Sequence, residues 1–348
     1  MRYLVTGHTG FKGAWLVLGL VAQGHEVHGL ALDPAPGSLY ERARVTELLA
    51  RDLRVDVRDA AAVREAVVGA APDVVLHLAA QPLVRESYRA PRFTVETNVL
   101  GTYNVLEAAQ ATGTVRAQVV VTTDKVYRDA GQARGYREDD PLGGRDPYSA
   151  SKAAADIVAQ SWMASTPAAV PTAIARAGNV VGGGDVCADR LVVDLVAGFS
   201  AGVRPRLRNP GAIRPWQHVL DCLHGYLVLV DALLDGRAAG EAYNFGPPPA
   251  SAVPVGTVAS KVAAMWEGDA AWQRDGRSDH PVETATLTLD AAKAADDLGW
   301  RNLLDLDETL AWTVDWARRT AAGEPVRDVS LEQVLAFAER AARVAEVV

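Results

Sequence analysis

The strongest constraint on this 348-residue chain is an alternation along its first half. Short apolar runs at 3–6, 26–32, 53–56, 74–78, 118–122 and 172–175 are separated by helix-like stretches at 11–23, 39–50, 60–70, 92–112 and 149–165. Continuous apolar character suits strands covered on both faces. Strand and helix in turn predict an α/β fold with a parallel, doubly wound sheet. Asp59 stands where a cap for the third helix belongs.

The later half is less regular. It holds Gly182-Gly183-Gly184, an Arg-rich loop at 204–214, a strand candidate at Tyr243–Phe245, and helical stretches at 306–320 and 331–346. Gln132–Asp146 is polar and Gly-rich and reads as a loop leading to a functional site. Neither an internal repeat nor a low-complexity linker interrupts the chain, so two lobes without a flexible joint are expected, with the ligand in their crevice.

Composition narrows the function. At 49% hydrophobic and 22% charged, the chain supports a sizeable core. No apolar stretch reaches the roughly 18 residues of a membrane span, and Met1 to Gly7 runs into a strand rather than a cleavable signal. Cys187 and Cys222 alone make neither a disulfide framework nor a metal site, so no metal and a reducing, cytoplasmic setting are expected. A net charge of -8 argues against nucleic acid as a partner. Arg204, Arg206, Arg208 and Arg214 form a local basic cluster, either a solvated loop or a seat for a phosphorylated ligand.

Between the first strand and the first helix lies Thr6-Gly7-His8-Thr9-Gly10-Phe11-Lys12-Gly13. Glycines at 7, 10 and 13 let the backbone turn sharply and approach a pyrophosphate at the helix N-terminus. Asp33, twenty residues after Gly13, suits the ribose hydroxyls of NAD, though before Pro34 it also suits a simple turn. Asp56 and Val57 after the third strand would reach the adenine. Leu78, Ala79 and Ala80 after the fourth offer small side chains for close approach. All of these lie at strand carboxyl ends, where such sheets bind ligands.

Tyr148-Ser149-Ala150-Ser151-Lys152 places Tyr148 and Lys152 on one helical face. A free phenol, with a pKa near 10, is too weak a base at neutral pH; a nearby ammonium and a nicotinamide charge favour phenolate. Tyr148 would then take a hydroxyl proton while hydride leaves the same carbon for NAD, and Lys152 would bind the nicotinamide ribose. Surface pairing is the plain alternative. Thr123 completes a Thr–Tyr–Lys set and can hydrogen-bond the reacting oxygen. Asp124 and Lys125 beside it are either a solvated charged loop or an acid and a base beyond what alcohol oxidation needs, which points to elimination.

These segments carry a resemblance. TGHTGFKG at 6–13, AAQPLVRESY at 79–88, TNVLGT at 97–102, TDKVY at 123–127, the stretch 135–152, RAGNVVGGGD at 176–185, IRPWQHVL at 213–220 and NFGP at 244–247 match, as do His280–Glu283 and Leu298–Trp300. Over almost its whole length the sequence resembles the CDP-glucose 4,6-dehydratases of the extended short-chain dehydrogenase/reductase superfamily. TGHTGFKG with His8, and IRPWQHVL, are the discriminating pieces.

The resemblance implies a Rossmann-type doubly wound sheet with a smaller, interleaved C-terminal substrate-binding domain. The expected boundaries are 1–180, with returning segments at about 215–246, for NAD, and 181–214 with 247–348 for the sugar nucleotide. It implies conversion of CDP-D-glucose to CDP-4-dehydro-6-deoxy-D-glucose, with Tyr148 as base at the 4-hydroxyl, Asp124 as the acid at the departing 6-hydroxyl and Lys125 as the base at C5. Lys125 must be neutral for that, and burial with nicotinamide charge is expected to depress its pKa. Asn98 is implied at the cofactor, and Asn179, Arg190, Leu191, Arg214 and Asn244 at the nucleotide diphosphate. Arg190 has Asp189 or Asp194 as alternative partners. Arg85 faces sugar or phosphate, or pairs with Glu86. His8, beside the pyrophosphate turn, is expected to alter how tightly NAD is held. A homodimer or dimer of dimers is expected from the helices near 92–112 and 149–165.

Departures exist: Val186-Cys187 where an aromatic residue often follows GGGD, no proline in Leu191–Asp194, and Thr123 for a usual serine. Rival readings are a 4,6-dehydratase for another nucleotide, a 4-epimerase, which has no use for Asp124 and Lys125, and a silent NAD-binding regulator, which would be expected to lose Tyr148 or Lys152.

Overall fold

The computed structural model describes every residue except 133, 188, 267, 277–286 and 346–348. Seven parallel strands form the central sheet: β1 (Arg2–Thr6), β2 (Glu26–Ala31), β3 (Arg51–Arg54), β4 (Val74–His77), β5 (Ala117–Val121), β6 (Thr172–Ala177) and β7 (Ala242–Phe245). Their spatial order is β7-β6-β5-β4-β1-β2-β3. The order reverses between β1 and β4, so the chain leaves those two strands toward opposite sides and opens a crevice at their carboxyl ends. β1, β4, β5 and β6 are buried almost throughout, which is why their sequences run apolar without alternation.

The strand readings hold within a few residues; the helices differ more. Residues 39–50 form two short turns, Leu39–Arg42 and Val45–Leu48, because Arg44 between them is left-handed (φ 52°). The stretch 92–112 is one continuous path with a π turn at Glu96–Leu100, and Asp59 caps Ala60–Ala70 by accepting the Ala62 N–H at 3.0 Å. Helix Val219–Leu234 has no counterpart in the sequence reading. It is enclosed on nearly every side, so no polar face marks its period. Helices Leu191–Ser200 and Val255–Trp266 also lie in the half read as irregular.

The Gly-rich segment at 182–184 is a packing device. A Cβ on Gly183 would lie 2.0 Å from the Trp316 ring, and its carbonyl accepts the Trp15 indole N–H at 2.9 Å. The open edge of β7 is blocked by charge: the Asn244 N–H donates to Glu138 at 2.7 Å and Lys293 donates to the Ala242 carbonyl at 3.0 Å.

Asp221, on the enclosed helix, ties it to the chain's last third by accepting the N–H groups of Leu303 (2.6 Å) and Leu304 (3.2 Å). Burial pushes its carboxyl up to about 7 despite those bonds. The folded chain therefore binds this proton more tightly than the unfolded one, and stability falls as pH rises from about 4 to 7, by up to about 4 kcal/mol from this group. Thermal melts across that range are expected to slope less in Asp221→Asn; an unchanged slope would remove Asp221 as the cause.

Candidate active site

The turn after β1 is built for an anion. Gly7 is left-handed (φ 75°), and a Cβ there would sit 2.8 Å from the Ala79 nitrogen; one on Gly13 would meet the Gly7 carbonyl at 2.2 Å. Helix α1 (Phe11–Ala22) begins at Gly10 with neither a capping side chain nor a first-turn acid, so its N-terminal N–H groups face the turn uncompensated. Leu78, Ala79 and Ala80 line the neighbouring strand end, partly open. A cradle that side chains would fill, at a bare helix start, fits a dinucleotide pyrophosphate.

The turn's side chains point elsewhere. His8 is fully buried: its ring covers Gly29 of β2 and its Nε2 lies 2.8 Å from Asp52, so it faces the sheet under the turn. Burial lowers its pKa, against the pull of Asp52. Thr9 donates to the Leu32 carbonyl at 3.0 Å, and Phe11 packs on the core near Gly182. Lys12 reaches back to the Tyr226 hydroxyl (3.2 Å) and Cys222 Sγ (3.5 Å). At the far end Asp33 stands 90% exposed, with Arg54 Nε at 3.3 Å. The Asp56 carboxylate is engaged by Arg58 (Nη2 at 2.6 Å), and Val57 packs against Gly101.

The reactive groups meet at the end of β5. Helix Pro147–Ser165, capped by Asp146 on the Ser149 N–H at 2.9 Å, carries Tyr148 and Lys152 into the interior. Lys152 donates to the Val121 carbonyl at 2.8 Å, and burial lowers its pKa to about 8, with Lys12 adding to the effect. Burial raises the Tyr148 phenol; the Lys125 ammonium and a Thr123 hydrogen bond oppose it. The cation acting most on Tyr148 is thus Lys125, and not Lys152 as the Tyr-x-x-x-Lys spacing suggested.

Thr123 donates to Asp124 Oδ1 at 2.9 Å, while Asp124 Oδ2 is buried without a partner. The Lys125 ammonium lies 3.6 Å from Asp124. That carboxylate raises the Lys125 pKa and outweighs desolvation, which corrects the expectation of a depressed value: at rest Lys125 is charged.

The expected diphosphate residues separate into two groups. Arg190, at the start of helix Leu191–Ser200, bonds Asp185 at 2.6 Å rather than Asp189 or Asp194, and its charge reaches Tyr148. Arg214 lies on the short strand Ile213–Pro215, and its charge reaches Lys125. Asn179 and Leu191 are partly open nearby. Arg85 pairs with Asp189 at 2.8 Å, and Glu86 with Arg89 instead. Of the basic cluster, Arg204 and Arg206 are solvated, while Arg208 turns to Asp189.

Asn244 does not reach the cleft. It is wholly buried, its Oδ1 accepting the Tyr127 hydroxyl at 2.7 Å and its Nδ2 donating to the carbonyls of Tyr136 (2.9 Å) and Asp290 (3.1 Å). Asn98 is likewise enclosed, accepting the Gln81 N–H at 2.8 Å and donating to Ser151 at 2.8 Å. Both brace the loops around the site.

Residues 4–313 match the family described as GDP-mannose 4,6 dehydratase. The chain belongs to this family. It is 42% identical to the CDP-glucose 4,6-dehydratase of Salmonella typhimurium, over 96% of this chain and 95% of that protein. A dTDP-glucose 4,6-dehydratase from Streptomyces venezuelae, solved with NAD bound, superposes with a TM-score of 0.77 at 28% identity, covering 94% of this chain and all of that one. A Thermus thermophilus UDP-glucose 4-epimerase in complex with NAD gives 0.78 at 26%, over 91% and 99%. Among the described residues no helix is long and apolar enough to cross a membrane.

The sequence reading missed the partners that set this family member's charges. Asp185, Asp189, Asp52 and Asp156 came forward only as alternatives or not at all. Among the described residues Asp156 carries the most buried ion pair, to Arg176 at 2.8 Å, both side chains at most 1% exposed. Its only signal was its place one helical turn after Lys152. His280–Glu283 lie outside the described residues.

Proposed function

We propose that the chain is an NAD-dependent hydro-lyase converting CDP-D-glucose to CDP-4-dehydro-6-deoxy-D-glucose and water. The observation that carries this is the buried Asp124 carboxylate, one oxygen unpartnered, set against Lys125 beside Tyr148. Oxidation at C4 uses Tyr148 and Thr123 alone; an additional acid and base have work only if a hydroxyl is expelled. The cytosine preference is drawn from the Salmonella relative.

The cradle of Gly7, Gly10 and Gly13 would hold the NAD pyrophosphate, Asp33 its adenosine ribose and Lys152 its nicotinamide ribose. When bound, NAD supplies a reversible hydride acceptor. Tyr148 as phenolate removes the 4-hydroxyl proton while Thr123 holds that oxygen. The ketone formed at C4 acidifies C5–H.

The raised Lys125 pKa calls for one further step. In the resting pair the proton sits on Lys125. With water excluded, two opposite charges lose solvation, and the proton passes from Lys125 Nζ to Asp124. Lys125 then takes the C5 proton, a C5–C6 double bond forms, and Asp124 protonates the departing oxygen, which leaves as water. This step restores the resting pair. Lys125 later returns a proton to C5 as C6 takes back the hydride that left C4, and Lys125 is recharged by Tyr148, which regenerates the phenolate.

On this reading residues 1–180 with 215–246 serve the cofactor, and 181–214 with 247–348 the sugar nucleotide. Exposed Tyr88, Val95, Leu100, Tyr103 and Ile157 gather on the helices between 84 and 112 and on Pro147–Ser165, which supports pairing of two copies there. A cytoplasmic enzyme is in keeping with its two free cysteines. Incubation with CDP-, dTDP-, UDP- and GDP-glucose is expected to give a 4-keto product chiefly from the first. A product keeping its 6-hydroxyl but inverted at C4 would replace this reading with epimerisation.

A further inference from the structure

Asp189 gathers two cations that come from distant parts of the chain. Arg85 Nη1, on helix Val84–Arg89, lies 2.8 Å from its carboxylate, and Arg208 Nη2, just after the short strand Arg206–Leu207, lies at 3.6 Å from the same oxygen. The next residue is Arg190, whose charge reaches Tyr148, so the double pair flanks the cleft. Asp189 is left-handed (φ 65°), a conformation aspartate accepts more readily than most residues.

The arrangement is poor as a structural bond. The three side chains are 50%, 31% and 46% exposed, where such bridges contribute little. Asp194 also crowds Asp189: burial and then the Asp189 charge push its carboxyl up. A carboxylate is held there against a like charge, between two guanidinium groups that it only partly satisfies.

We propose that Asp189 is a built-in anionic placeholder, holding Arg85 and Arg208 at the cleft until the diphosphate of the nucleotide sugar displaces it. The inference rests on the nucleotide-sugar reading above. A diphosphate offers more charge and more acceptor oxygens to the planar guanidinium forks than one carboxylate does, so the exchange runs toward ligand. Asp189 thereby keeps both arginines ordered in the free enzyme. It also competes for them when product leaves.

The test is calorimetric titration of the full-length protein with CDP, dTDP and UDP in parallel. Asp189→Asn removes the charge and keeps a residue tolerant of the left-handed backbone; Asp189→Gly keeps that backbone by another route. Both are expected to tighten binding of whichever diphosphate the parent binds best, by roughly fivefold, and to slow its dissociation. Arg208→Ala and Arg85→Ala are each expected to weaken it about tenfold. Arg208→Ala should cost more in the Asp189→Asn background than in the parent, because the arginine there has no carboxylate to give up. Unchanged or weaker binding in both Asp189 variants would overturn the placeholder alone. A parent that binds none of the three would overturn it together with the nucleotide-sugar reading.

Discussion

Tyr148→Phe is expected to lower kcat by about 10³-fold while leaving KM nearly unchanged. The substitution deletes one oxygen from a side chain only 8% exposed and keeps the ring that fills the space. Its thermal melt should match the parent's, which separates loss of chemistry from loss of fold. The groups that flank Tyr148 are held elsewhere: Lys152 donates to the Val121 carbonyl and Thr123 to Asp124. Burial raises the phenol, and the parent's activity should therefore climb with pH on its acid limb as phenolate forms. The variant's residual rate should lack that limb. Steady-state rates between pH 6 and 9 decide the matter, and retention of a tenth of the parent rate would end the role of Tyr148 as base.

Lys125→Met should act on two steps at once. As the C5 base it is expected to contribute roughly 10²- to 10⁴-fold to elimination. In heavy water the parent should incorporate deuterium at C5 of the product, and the variant should scarcely do so. Lys125 is also the chief cation beside Tyr148, so its removal should move the acid limb of the pH profile upward. Asp124→Asn makes the complementary variant. It leaves Lys125 without the carboxylate that raises its pKa, so more of the amine is neutral, yet the 6-hydroxyl loses its acid. That variant should still exchange the C5 proton while forming little product. Proton exchange at the parent rate in Lys125→Met would assign the C5 base to another group.

Much of the site lay open in the linear text because its parts are local. The Gly7, Gly10 and Gly13 turn needs only the end of one strand and the start of one helix. Tyr148 and Lys152 need one turn of helix to share a face. Asn244 and Arg85 could not be placed that way. Asn244 sits at a strand end like the other residues proposed to hold ligand, yet tertiary packing encloses it with Tyr127, Tyr136 and Asp290. Arg85 had a neighbour of opposite charge at Glu86, and found Asp189 more than a hundred positions away.

The amino-acid order by itself determined the alternation of strand and helix, the glycine turn before the first helix and the shared helical face of Tyr148 and Lys152, since each follows from periodicity or from neighbours within a few residues. Tertiary structure alone decided the electrostatics: which carboxylate charges Lys125, which cation acts on Tyr148, which side chains see the cleft, and that residues 219–234 form a helix. Coulomb interaction and desolvation depend on distance in space, and a segment buried on all sides keeps no polar face to reveal its period.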